Sequence, residues 1–149
     1  MKHLKTTAVL LGLTFAAGAV LAHDDAYLDT QKAPNGGQLR MAGPYHYELV
    51  VVKDSKEAKE NPVLVYVTDH AGNKVSSAGA AGTATLLSGK LKASATLKPD
   101  GDNRLKGFAK YPSTADMKVV VSLAFPGKSA EQARFTPLAA PAKQAHGGH

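Results

Sequence analysis

The chain has 149 residues, no cysteine, no tryptophan and a formal net charge of +6. This length suits one ordinary domain with its own core. The missing cysteines exclude a disulfide framework and any thiolate site, so a bound metal is expected to use nitrogen and oxygen donors, with histidine as the main nitrogen donor.

The N-terminus reads MKHLKTTAVLLGLTFAAGAVLA. Lysines lead into an apolar run that ends in Val20-Leu21-Ala22, the layout of a secretory signal over residues 1–22. The run falls short of the ~20 residues a membrane span needs, so no stable membrane insertion is expected after cleavage. Cleavage after Ala22 makes His23 the first residue, and losing Lys2 and Lys5 takes the charge from +6 to +4. The other lysines are scattered, as in "KLKASATLK", which reads as a solvated sheet face and not as a nucleic-acid surface. Residues 23–36, HDDAYLDTQKAPNG, form a polar leader expected to dock along one edge of the domain.

From Gly37 the apolar residues recur every second position. "YHYELVVVK" puts Tyr45, Tyr47, Leu49 and Val51 on one face and His46, Glu48, Val50 and Val52 on the other. "PVLVYVTD", "TATLLSG", "LKASATLKP", "RLKGFAKY", "MKVVVSLAF" and "QARFTPL" follow, and Leu91, Ala93, Ala95 and Leu97 share a face. The stretches "DHAGNK", "SSAGAAG", "PDGDN", "YPSTAD" and "PGKS" supply turn residues between them, and "SKEAKEN" reads as a charged loop. The pattern predicts an all-β fold over residues 37–138: a single antiparallel Ig-like β-sandwich of about seven strands. Residues 139–149 form an Ala/Pro/Gly-rich tail with little to bury.

The sequence does not read as an enzyme. No serine lies in a Gly-x-Ser-x-Gly elbow, no carboxylate pair is poised for acid–base work, and "AGAAGTA" lacks the Lys-Ser/Thr of a phosphate loop. No organic cofactor is expected.

Histidine carries what binding chemistry there is. His23, once N-terminal, offers an α-amine and an imidazole to one ion. His46 and Glu48 sit two apart on a strand and share a face, which gives two donors where tight sites use three or four. His146 and His149 make an "HGGH" terminus that can pick up Cu(II), Ni(II) or Zn(II). His70, in "TDHAGN", reads as a hairpin-tip residue. The candidate metal ligands are therefore His23, His46, Glu48, His146 and His149. Imidazole binds metal only when deprotonated, so uptake should weaken as pH falls through about 6.5.

The order of the elements adds a resemblance. "APNGGQLRMAGPYHYELVV", "VLVYVTDHAGNKV", "GTATLLSG", "LKPDGDNRLKGFA" and "MKVVVSLAFPGKSAEQARF" together resemble small periplasmic β-sandwich proteins associated with heavy-metal (copper or cobalt–zinc–cadmium) efflux. They are also similar to the N-terminal β-sandwich in the periplasmic adaptor subunits of those pumps. The resemblance spans about Ala33 to Phe135. It implies a Pro-His-Gly-Gly before the first strand, where this chain has Asn35 and so lacks one donor.

The function expected is that of a periplasmic accessory protein that binds or buffers copper or zinc, with a periplasmic adaptor or other envelope protein as partner. The alternative is a metal-independent interaction module that docks through a strand edge. A third reading is a small-ligand carrier with a pocket near Tyr45, Tyr47 and Tyr66.

Overall fold

The computed structural model describes residues 24–140. The expected signal, His23, His146 and His149 lie outside the described residues. No helix among the described residues is long and apolar enough to cross a membrane.

The described residues form an all-β fold, and its strand number and closure differ from the expectation. Eight antiparallel strands, not about seven, form one nearly closed sheet in the order β1-β2-β3-β6-β5-β4-β7-β8. They are β1 (Gln38–Ala42), β2 (Tyr45–Val51), β3 (Lys59–Asp69), β4 (Ala81–Ser88), β5 (Leu91–Pro99), β6 (Arg104–Tyr111), β7 (Lys118–Ala124) and β8 (Glu131–Phe135). The added strand is "QLRMA". It is five residues long and half-buried along most of its length, so it carries no clean alternation. Its place is set by pairing with β2, from Gln38↔Leu49 to Ala42↔Tyr45.

Two halves are joined through β5. It pairs with β4 from Leu91 to Leu97, then hands over to β6 at Lys98↔Lys106 and Pro99↔Leu105. Gly107 makes the hand-over possible, because a Cβ there would run into the Thr96 carbonyl of β5. At the other seam β8 returns to β1. Gln38 Oε1 accepts from Thr136 N at 2.8 Å, and the Tyr47 hydroxyl donates to Glu131 O at 3.2 Å.

The inward faces meet in one core. Tyr47, Leu49, Val63, Val65, Leu97, Leu105, Tyr111, Val121 and Leu123 are fully buried there. The alternation fades where the sheet runs out: Leu97 and Ala95 are buried, whereas Leu91, at the β4–β5 turn, is exposed. β3 starts earlier than its apolar run. Asn61, in the "SKEAKEN" stretch, is buried and its amide donates to Ser55 Oγ at 2.9 Å and Tyr111 O at 2.8 Å. Those bonds extend the strand back to Lys59.

The leader docks as expected, and part of it is helical. Asp24 caps the short helix α1 (Asp25–Asp29) by accepting from Tyr27 N at 2.8 Å. The helix is held against β1. Asp25 accepts from Met41 N at 3.0 Å, and Arg40 pairs with Asp29 at 2.6 Å.

Candidate functional site

β2 is buried on both faces, and the second face is where the candidate residues lie. The inward face is Tyr45, Tyr47, Leu49 and Val51. On the outer face His46 is 8% exposed and Glu48 3%. The outward placement expected of these two holds, but solvent does not reach them freely, because the leader and the turn after β3 cover that face.

Glu48 is the clasp for the leader. Oε2 accepts from Asn35 N and Gly37 N, each at 2.9 Å. Oε1 accepts from Asn35 Nδ2 at 3.0 Å and Asn35 N at 3.2 Å. An ionised carboxylate has about four lone-pair sites, and here four contacts fill them. Gly37 is required for the approach, since a Cβ there would strike the Leu49 carbonyl of β2. Asn35, where the resemblance implies histidine, contributes its amide to this clasp. Glu48 therefore organises the leader.

His46 meets His70. The two rings stack with centroids 5.0 Å apart and planes 23° apart. His70 lies in the turn that follows β3, beyond Thr68, and Thr68 is the direct cross-strand partner of His46. The turn is held by Asp69, whose carboxylate accepts from Ala71 N and Asn73 N at 2.9 Å and from Asn73 Nδ2 at 3.1 Å. These bonds from Asn73, with a smaller one from Ala71, hold the Asp69 carboxyl below its ordinary pKa. His70 Nε2 lies 3.1 Å from Gly43 O, in the β1–β2 turn. A carbonyl only accepts, so Nε2 carries the proton and Nδ1 of a neutral ring keeps the lone pair.

Beside this pair is a cleft of about 500 Å³. Its floor is Leu39, His46, Tyr66 and Thr68 from β1, β2 and β3. The leader forms one wall with Lys32, Pro34 and Asn35, and the turn after β3 forms the other with Gly72 and Lys74. Tyr66 also faces Arg104, whose guanidinium lies 6.0 Å from the ring centroid. The nearby Tyr66 side chain, aided by the Asp100 charge, raises the Arg104 pKa.

The tyrosine pocket expected around Tyr45, Tyr47 and Tyr66 is split by the sheet. Tyr66 lines the cleft, whereas Tyr45 and Tyr47 point into the core. Burial first, and then the neighbouring Glu131 charge, raise the Tyr47 pKa.

Among the described residues, no three histidine, cysteine, aspartate or glutamate side chains gather in a group that could hold an ion. Sequence reasoning missed His70 as a partner of His46. The only signal was its position two residues past Thr68, and that becomes informative once the β2–β3 register is known.

Comparison with known proteins returns nothing: no family model, no curated protein and no solved structure matches this chain.

Proposed function

We propose that this is a periplasmic accessory protein that takes up a transition-metal ion, copper or zinc, in connection with heavy-metal efflux, and that His46 and His70 receive the ion. The observation that carries the reading is the ring contact of 5.0 Å between two imidazoles on a rigid scaffold. Two nitrogens on one ion, each about 2.0–2.1 Å from it, stand at most about 4.2 Å apart. Side-chain rotation can bring the rings to that span without moving the strands, because His70 sits in a turn and is only half-buried. The export signal and the order of the sequence elements support the setting. His23, His146 and His149 remain further candidate donors in the reading, as a terminal chelate and as a scavenging tail.

The alternative, a metal-independent docking module, has less to support it. Strand addition needs an open edge. Here β1 and β8 are turned toward each other, and Asp25 occupies Met41 N on β1.

The test is titration of the signal-processed protein with Zn(II) and Cu(II), carried out with His146→Ala and His149→Ala in place to silence the tail. Substituting His46 or His70 by alanine should each weaken binding at least tenfold. Unchanged affinity in both would remove His46 and His70 from the site.

A further inference from the structure

We infer that the ion taken by this site is reduced copper, Cu(I), and that Met41 is its third ligand. The inference rests on the metal-binding reading above and specifies its cargo.

Met41 is the direct cross-strand partner of His46. Residues so paired point to the same face of a sheet, with Cβ atoms about 4.5–5.5 Å apart. Met41 therefore stands beside His46 on its β1 side, while Thr68 occupies the β3 side. His70 closes the group from above. Its Nε2 reaches Gly43 O, two residues beyond Met41 in the chain. Met41 itself is half-buried.

The nearby carboxylates carry hydrogen bonds of their own. Glu48 holds Asn35 and Gly37, and Asp69 holds Ala71 and Asn73. Asp25, at the other edge of β1, accepts from Met41 N and lies 3.9 Å from Arg40 Nε. Two imidazoles and a thioether make a soft donor set, and ligands of this kind favour Cu(I) over harder ions. The absence of cysteine excludes thiolate but leaves thioether sulfur.

The sulfur makes the inference testable by spectroscopy as well as by affinity. The chain has three methionines and no cysteine. Met1 falls in the expected signal, and Met117 is 0% exposed in the core. A copper–sulfur shell in the X-ray absorption of the Cu(I)-loaded processed protein would therefore come from Met41. Met41→Leu conserves volume and should leave the fold intact.

The experiment is an anaerobic competition titration with a chromophoric Cu(I) chelator, run beside a Zn(II) titration, with the two tail histidines replaced as before. Met41→Leu should weaken Cu(I) binding at least tenfold, abolish the copper–sulfur shell, and change Zn(II) affinity by less than about threefold. Loss of Cu(I) affinity in His46→Ala and His70→Ala, with Met41→Leu unchanged, overturns the role of Met41 and leaves the two-histidine site standing. Equal loss of Cu(I) and Zn(II) affinity in Met41→Leu would mean that Met41 acts through packing, which also overturns it. No loss of either metal in any of the three variants overturns both the inference and the assignment of His46 and His70 as the receiving pair.

Discussion

β2 and β4 are both interior strands of the sheet, yet they are buried differently. β4 alternates: Ala84, Leu86 and Ser88 are buried, while Thr83 and Leu87 are exposed. β2 is closed on both sides, with tyrosine, leucine and valine inward and His46 and Glu48 outward. The outer face of β4 needs nothing above it. The outer face of β2 is covered by a leader that Glu48 clasps through two backbone amides and an asparagine side chain. A polar face becomes a site here because another segment is tied down over it, not because its own residues are unusual.

The inward faces should account for the largest effects. Leu49→Ala removes a fully buried side chain from β2 and should cost about 2–5 kcal/mol in urea unfolding. Thr83→Ala, on the exposed face of β4, should stay within about 0.5 kcal/mol. Similar costs for the two would mean that β2 is not the core strand described here.

A smaller effect is expected at the clasp. Glu48→Gln keeps the shape but removes the charge and turns one acceptor into a donor. That group would face the amides of Asn35 and Gly37, which then lose their partner. An unsatisfied buried donor costs about 1–3 kcal/mol. Hydrogen exchange should quicken at the Asn35 and Gly37 amides and stay unchanged at Thr85 on β4. Equal change at both places would show a general loss of stability and not a released leader.

The two faces also differ in how much the sequence discloses. The inward residues of β2, β3 and β7 follow from period two, because each strand carries its own half of the core. β1 was missed because its five residues are nearly evenly half-buried and its position depends on pairing. The leader's polarity was legible, but its attachment was not. Nothing local to Asn35 or Glu48 says that thirteen positions of separation will close into hydrogen bonds. The same limit applies to the site. His46 was visible as an outward histidine. Its neighbours, Met41 on β1 and His70 beyond β3, join it only through register. Glu48 shares its face because i and i+2 point the same way, and its hold on the leader was not legible from that spacing.

The smallest expected effect concerns the turn that holds His70 over β2. The Asp69 carboxyl has a lowered pKa, chiefly from the backbone and side-chain hydrogen bonds of Asn73. A carboxyl with a depressed folded pKa contributes stability above its unfolded value, about 3.9, and loses it as pH falls through the folded value. The turn should therefore be intact at pH 5 and loosen only below about 4. Asp69→Asn mimics the protonated state at neutral pH. It should speed exchange at the Ala71 and Asn73 amides and weaken the nuclear Overhauser contact between the His46 and His70 rings, while leaving core valines such as Val65 unaffected. β4 has no counterpart to this turn over its outer face, so its amides serve as the internal control. If the ring contact survives in Asp69→Asn, then His70 is held by Gly43 O and by stacking alone, and the His46 face is more rigid than the turn that covers it.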